Sequence, residues 1–371
     1  MHVALVAPMV WPVRDDRPPL GGVEVFLRDL MPGLVANGVQ VSLLAANGSQ
    51  VDQAHIPHLD IDAERLALAN LGANPEAERS DLSDQHAAFQ RVRDWCLAHA
   101  GSLDAVHAHA FDTPAFDLLL DLNDVAVVHT LHLPPIQPDV VHAARRAANA
   151  GAVLVCVSEA LARAWQAAGV PIGRVVPNGV DVAAIPFGAE PHGYLLFAGR
   201  LSPEKGPDVA IGAAAQAGLP LVLVGNVYDQ AYFDGQVRPL IEQRLDWTAR
   251  DGALPGGATY VGHRERATVL GLMAGAAATL MPVRWDEPFG LVAIEAQAAG
   301  SPVVGFQRGA LGEVVRHGQT GLLVDHAMQL PSALASALSL DRSTCRRWVE
   351  ERFSLEAMVE GYLALYREVA S

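Results

Sequence analysis

The sequence predicts an α/β protein of two doubly wound domains facing across a cleft, each a parallel sheet covered by helices on both faces. Three observations carry this. Short, continuous apolar runs alternate with longer Ala/Leu-rich stretches almost throughout. Hydrophobic residues make up 51% of the chain against 18% charged, enough to bury sizeable cores. The series breaks at a Pro/Gly-rich segment near its middle, Ala184–Gly193 (AIPFGAEPHG). At roughly 100–200 residues per domain, 371 residues make two domains or at most three.

In the first half, His2–Ala7, Val39–Ala45, Ala105–Ala108, Val125–Val128 and Ala152–Val157 read as strands apolar on both faces. Val23–Leu34 and Ala87–His99 between them carry helical spacing. The second half repeats the alternation with Tyr194–Ala198, Leu221–Val224, Ala258–Val261, Ala277–Met281, Pro302–Gly305 and Gly321–Val324. His55–Asp84 is acidic, shows no strand period and reads as an irregular excursion of the first domain. The expected limits are residues 1–185 and 192–350, with 351–371 a C-terminal helix for which the first domain is a candidate packing surface.

Composition narrows the partners. The 26 basic and 41 acidic residues leave a net charge of −15. Nucleic acid and anionic lipid both reward basic patches, so neither is an expected partner. An anionic ligand must be captured by a local concentration of donors. Cys96, Cys156 and Cys345 are too scattered for a disulfide framework or zinc site and are expected as reduced core residues of a cytoplasmic protein. The start, MHVALVAPMV, lacks the Lys or Arg of a secretory leader. The uncharged runs Val209–Tyr228 and Ala267–Val283 each divide into a helical and a strand-like part, so neither reads as a membrane span. Arginine supplies 25 of the 26 basic residues; the single lysine is Lys205.

Ligands of doubly wound sheets bind outside the carboxyl ends of the strands. Four strand-end loops stand out. Pro18-Pro19-Leu20-Gly21-Gly22 precedes the first helix, where adjacent glycines would let backbone N–H groups approach a phosphate. An ordinary glycine turn fits the same residues. No G-x-G-x-x-G follows a strand, which weakens a nicotinamide-dependent reading. Gly199-Arg200-Leu201-Ser202-Pro203-Glu204-Lys205-Gly206 follows Tyr194–Ala198, ahead of a helix that Pro207 and Asp208 would start. Arg200 offers a fork and Lys205 a compact point charge, a pair suited to a diphosphate. A merely solubilising cation in this chain would have been arginine.

The third loop, Trp285-Asp286-Glu287-Pro288-Phe289-Gly290, leads into a helix beginning near Gly290. Glu287 would lie just before that helix and Glu295 a little over one turn inside it, among Ala, Ile, Val and Gln. A carboxylate on so apolar a segment needs a partner, and sugar or ribose hydroxyls suit it. A surface glutamate on an amphipathic helix is the plainer alternative. The fourth is Val106-His107-Ala108-His109, with His129-Thr130-Leu131-His132 at the next strand end. His107 and His109 share a strand face, one to pack and the terminal one, His109, to reach the cleft. No carboxylate or cysteine accompanies them at metal-ligand spacing.

Through GRLSPEKG, YVGH, EPFGLVAIEAQAAGSPVV and GALGEVVRHGQTGLLVD, residues Gly199–Asp325 resemble the donor domain of a retaining glycosyltransferase of family 4. That is the glycogen-synthase-like group with the GT-B fold. LGGVEVFLRDL, VHAHA, HTLH, VSEAL and VPNGVD extend the resemblance into the first half, leaving out Asn47–Gln90 and the tail after His326. The glutamates with seven residues between them and the upstream Arg…Lys pair are its specific part.

The resemblance implies two Rossmann-like domains, acceptor-side then donor-side, and transfer of a sugar from a nucleoside diphosphate sugar with retention. Arg200 and Lys205 would bind the diphosphate and Glu295 the ribose. Glu287 with the backbone of Phe289, Gly290 and Leu291 would bind the sugar. Gly262 and His263 would hold the base, Gly21 and Gly22 would close on the diphosphate, and His109 would lie near the reacting centre. Ser158 reads as a helix cap and Asn178 as an interdomain loop residue. No metal or cofactor is expected; Asp60-Ile61-Asp62 is a D-x-D that follows no strand.

Within Val23–Asn37, Arg28 against Glu24 and Asp29 leaves −1, and the apolar residues recur at three- and four-residue spacing. The expected acceptor is therefore a soluble hydroxylated small molecule against Trp11–Gly22 and His129–Gln137, with Trp11, Pro134 and Pro135 as flat walls. A basic patch of Arg14, Arg17, Arg145 and Arg146 would favour acidic lipid instead. A phosphorylase or nucleotide-sugar epimerase of GT-B fold would use the same Arg…Lys loop. A catalytically silent nucleotide-sugar binder would not need all of Arg200, Lys205, Glu287 and Glu295.

The scarcity of lysine makes a direct test. Lys205→Arg is expected to impair donor turnover, because a fork does not occupy the space of an ammonium. Lys205→Ala should cost about 2.7–4 kcal/mol of transition-state stabilisation, as for other preorganised charge-stabilising groups. Steady-state kinetics decides, and near-normal rates in the Arg variant refute the argument.

Overall fold

Successive residues of a strand point to opposite faces. In β1 (His2–Val6), Val3 and Leu5 enter one buried cluster while Ala4 and Val6 enter another, so the first sheet is covered on both sides. The computed structural model describes residues 1–9, 12–14, 22–62, 75–241, 243–244 and 256–370. It divides into two compact units, Met1–Asn178 with Leu355–Ser371, and Gly179–Ser354.

The first unit runs β1, α1 (Gly22–Ala36), β2 (Gln40–Leu44), α2 (Pro75–His99), β3 (Ala105–Ala108), α3 (Thr113–Asp117), β4 (Ala126–Leu131), α4 (Pro138–Asn149), β5 (Val153–Cys156), α5 (Glu159–Ala167) and β6 (Arg174–Val175). Its six strands are parallel in the order β2-β1-β3-β4-β5-β6. The strand order reverses between β1 and β3, so the loop after β3 opens where a doubly wound sheet binds ligands. Ser158 caps α5 by accepting from the Leu161 N–H at 3.0 Å, as its sequence position suggests.

The second unit runs β7 (Tyr194–Ala198), α6 (Pro207–Ala217), β8 (Leu221–Val224), β9 (Gln243–Arg244), β10 (Ala258–Tyr260), α7 (Arg266–Gly275), β11 (Ala276–Met281), α8 (Leu291–Ala298), β12 (Val303–Phe306), α9 (Leu311–Val314), β13 (Gly321–Val324), α10 (Leu330–Ala337) and α11 (Arg342–Arg352). Its seven parallel strands lie in the order β13-β12-β11-β7-β8-β10-β9. The reversal here falls between β7 and β11, which brings together the loops after those two strands.

Two expectations are corrected. Residues 75–84, expected as irregular, belong to α2. Pro75 suits the first helical turn and the following Glu, Ala and Arg are helix formers, but so polar a stretch has no apolar period to betray it. The segment 184–193 is no free linker, because it is fastened within the second unit. Gly188 N–H donates to Ala299 O (3.1 Å) and His192 N–H to Gly275 O (2.8 Å). Arg342 donates to the carbonyls of Gly188, Ala274 and Ala276, and Arg346 to those of Val182, Ile185 and Ala298. Proline and glycine interrupt regular structure there yet leave carbonyls for an arginine fork. The two-residue strands β6 and β9 were too short to leave a sequence pattern.

Three of the four arginines named for the alternative basic patch have partners in the structure. Arg145 donates to the carbonyls of Ala168 and Gly169, Arg146 pairs with Asp117 at 2.6 Å, and Arg14 donates to Gly48 O at 2.9 Å. Arg17 and Trp11 lie outside the described residues. The three cysteines are buried and free, and burial pushes each thiol up to about 12. Among the described residues no helix is long and apolar enough to cross a membrane.

The last helix, α12 (Leu355–Val369), completes the first unit. Met358, Val359, Tyr362, Leu363, Leu365 and Tyr366 are all buried, every one in the cluster that α1 and β1 also line. Truncating one such large side chain costs about 2–5 kcal/mol, and a whole domain is stable by only about 5–15 kcal/mol. A chain ending at Ser354 should therefore lose cooperative folding of its first unit, seen in calorimetry or limited proteolysis. A truncated chain that melts like the full one would refute this.

Candidate active site

The loop after β7 is laced to the loop after β11. Arg284 donates its backbone N–H to Glu204 O (2.8 Å), Nη1 to Pro203 O (3.1 Å) and Nη2 to Asp208 Oδ2 (2.6 Å). Tyr232 Oη donates to the other oxygen of Asp208. Burial pushes the Asp208 carboxyl up, but the hydrogen bonds from Tyr232 and Arg284 outweigh it and hold the group below the usual carboxylate range. Gly206 has φ +70°, and a Cβ there would meet Pro282 O at 2.4 Å, so only glycine lets the loops approach this closely.

Across this junction Lys205 Nζ donates to Glu287 Oε2 at 2.7 Å, with side-chain exposures of 19% and 10%. Trp285 Nε1 donates to the same oxygen at 2.8 Å, and the ammonium lies 4.8 Å from the Trp285 ring centroid. Arg200 stands at the loop's start, 3.3 Å from Glu204 and 4.6 Å over the exposed Tyr228 ring. The Glu287 backbone is held from behind: Ala310 N–H donates to Glu287 O (2.8 Å), and a Cβ on Gly309 would collide with the Glu287 N and O.

Phe289 is buried against Phe353, Gly290 is the N-cap of α8 and Leu291 its first residue, so their backbone opens the helix beside Glu287. Glu295 projects from α8, and its partner in the structure is Arg266. Both Nε (3.1 Å) and Nη2 (3.0 Å) donate to Glu295 Oε1. A partner for this carboxylate was required on sequence grounds; that an arginine 29 residues upstream provides it was not foreseen. Gly262, with its O accepting from the Gly225 N–H (3.1 Å), and the exposed His263 follow β10 on the same strand-end side. Sequence reasoning left Trp285, Arg284 and Arg266 without a role and read Asp208 only as a helix start. The third strand-end loop contains Trp285 and begins just after Arg284, and the basic run His263-Arg264-Glu265-Arg266 was the available signal for Arg266.

In the first unit His107, His109 and the half-buried His132 meet on one face of the sheet, while the buried His129 stacks on Phe116. His107 is fully satisfied, Nδ1 on Tyr366 Oη (2.6 Å) and Nε2 on Thr130 Oγ1 (2.7 Å), and Thr130 in turn meets Tyr362 Oη at 3.2 Å. His109 packs on Phe26 and shares its Nδ1 with His132 Nε2 at 3.1 Å, while its Nε2 has no hydrogen-bond partner among the described residues. His109, expected to reach the cleft, is fully buried. Gly21 lies outside the described residues; Gly22 is the exposed first residue of α1. Burial, compounded by the neighbouring imidazoles, holds His107 and His109 well below the usual range, and burial alone lowers His129 and His132 to about 3. All four are neutral near pH 7, which leaves His109 available as a neutral hydrogen-bonding group and not as a cation.

Two parallel, doubly wound domains with this loop pair define the GT-B class of glycosyltransferases. Two family models match, Glycosyltransferase Family 4 over residues 20–184 and Glycosyl transferases group 1 over residues 187–353. The D-inositol 3-phosphate glycosyltransferase of Jonesia denitrificans is 28% identical over 366 residues, covering 87% of this chain and 83% of its own. The glycogen synthase of Mycobacterium tuberculosis is 29% identical over 338 residues, covering 82% and 78%. Sucrose-phosphate synthase from Thermosynechococcus elongatus has the same fold at a TM-score of 0.75 and 20% identity, over 99% of this chain and 98% of that one. Anabaena HepE, solved with UDP and glucose, gives 0.71 and 20%, over 99% and 100%. The chain belongs to the family 4 glycosyltransferases.

The neutral histidines carry a pH signature. In the unfolded chain they titrate near 6.5, so as pH falls the unfolded state takes up protons that the folded state refuses. Their contribution is complete above about 6.5 and is lost progressively toward 3, at up to about 1.4 kcal/mol per pH unit for each histidine. Urea midpoints of the first transition should fall between pH 7.5 and pH 5, less steeply in His129→Gln. Equal midpoints at the two pH values would overturn the assignment.

Proposed function

We propose that this protein transfers a sugar from a nucleoside diphosphate sugar to a hydroxyl of a soluble small-molecule acceptor, with retention of configuration and without a metal or other cofactor. The carrying observation is the Lys205–Glu287 pair at the strand-order reversal, with Arg200 beside it. It gathers compact positive charge and a carboxylate at one point on a protein of net charge −15. That UDP and glucose are bound by HepE, and that D-inositol 3-phosphate names the acceptor of several relatives, supports a nucleotide donor and a small hydroxylated acceptor here as well.

In the reaction the bond between the anomeric carbon and the diphosphate oxygen breaks. The acceptor oxygen bonds that carbon on the same face and its proton passes to the departing diphosphate. Lys205 and Arg200 stabilise the charge that develops on the leaving group, the largest single contribution in reactions of this kind. Glu287, with the backbone at Phe289, Gly290 and Leu291, orients the sugar. Glu295, steadied by Arg266, accepts from the ribose hydroxyls, and Gly262 and His263 meet the base. From the first domain, Gly21 and Gly22 serve the diphosphate. The buried, unpartnered Nε2 of His109 is a neutral hydrogen-bonding group for the sugar. The segment His129–Gln137, where Ile136 is exposed and Pro134 and Pro135 half-buried, serves the acceptor.

The test begins with a thermal-shift panel of uridine, guanosine, adenosine and thymidine diphosphate sugars in EDTA, since a ligand at 100 times its Kd adds about 2.7 kcal/mol. With the donor found, Glu295→Gln should raise its KM more than it lowers kcat, and Glu287→Gln should do the reverse. Identical profiles for the two variants, or no stabilisation by any of the four donors, would refute the reading.

A further inference from the structure

Glu287 Oε2 receives two donors of different kinds. Lys205 brings a charge, 2.7 Å away, and the Trp285 indole brings a neutral N–H, 2.8 Å away. The same indole turns toward the lysine, whose ammonium lies 4.8 Å from its ring centroid. One side chain thus touches both members of the ion pair. Its backbone does not float, because the preceding residue, Arg284, is tied to Glu204, Pro203 and Asp208.

The two donors answer differently to an arriving diphosphate. An ammonium is a mobile point charge on a flexible stem, and a multiply charged phosphate competes with one carboxylate for it. The indole N–H carries no net charge and has one donor direction, so a phosphate that draws the ammonium away leaves it in place. Without it, Glu287 would follow the ammonium or lose its remaining donor in a part-buried site, where an unsatisfied carboxylate oxygen is costly.

We propose that Trp285 is a positioning residue of the transfer site, its N–H keeping Glu287 aimed at the donor sugar while Lys205 turns to the diphosphate, and its ring face supporting the ammonium. This rests on Lys205 and Glu287 being donor-binding groups. The N–H serves kcat and the ring serves donor binding.

Two variants separate those parts. Trp285→Phe keeps a ring and removes the N–H, and should lower kcat about ten- to hundredfold at saturating donor while leaving KM within about twofold. Trp285→Ala removes both and should also raise KM. Titration with UDP, GDP, ADP and TDP followed by intrinsic fluorescence gives a readout independent of turnover. The diphosphate that binds should change the wild-type emission, and the change should be absent in Trp285→Phe. A Phe variant with wild-type kcat, equal constants in the Phe and Ala variants, or an emission change that survives the Phe substitution overturns the proposal even in a fully active enzyme. If the Ala variant does not fold, the Phe variant and its fluorescence decide alone. If none of the four diphosphates binds the wild type, the donor-site reading itself fails and Trp285 falls with it.

Discussion

Lys205 and Glu287 are 82 residues apart in the chain and 2.7 Å apart in the molecule. They meet because β7 and β11 are paired in the sheet, so the loops leaving their carboxyl ends are neighbours. A part-buried ion pair is weak evidence for stability, since desolvating both charges offsets most of their attraction. Its value here is geometric. Arg284, Asp208 and the absence of a side chain on Gly206 bring the two loops together, and the pair then concentrates charge at one point.

The chain's use of arginine has a structural explanation. Arg145, Arg342 and Arg346 spend their forks on main-chain carbonyls, closing a helix end and fastening the Pro/Gly-rich segment 184–193 within the second unit. Several planar donors on one group suit that work, and a lysine would satisfy fewer carbonyls at once. Lysine is kept for the place where a compact, movable ammonium is wanted.

In the first domain the chemistry is one of neutral groups. The chain from Tyr366 through His107 and Thr130 to Tyr362 ties the last helix to strands β3 and β4, and it consumes both nitrogens of His107. His109, one turn of the pleat further along the same face, is supported by that network but keeps a nitrogen unspent. Of two histidines in one short motif, one is thereby spent on holding the fold and the other is left with a nitrogen to offer.

The alternation of strands and helices and the placing of GRLSPEKG and EPFGLVAIEA after strands of the second sheet were legible in the residues. They depend on local regularities: two-residue pleat, helical period, and motif text at fixed spacing. What the sequence could not decide was which partner each polar group takes. Glu295 required a partner and found Arg266; Glu287 found both Lys205 and Trp285; His109 was buried although its strand position allowed exposure. The helix from Pro75 escaped notice for want of an apolar period, and the segment 184–193 passed for a linker because only α11 shows what its carbonyls bond to. Periodicity is a property of neighbours along the chain and is written there. Pairing across 29 or 82 residues is set by strand order and loop approach, which only the tertiary structure decides.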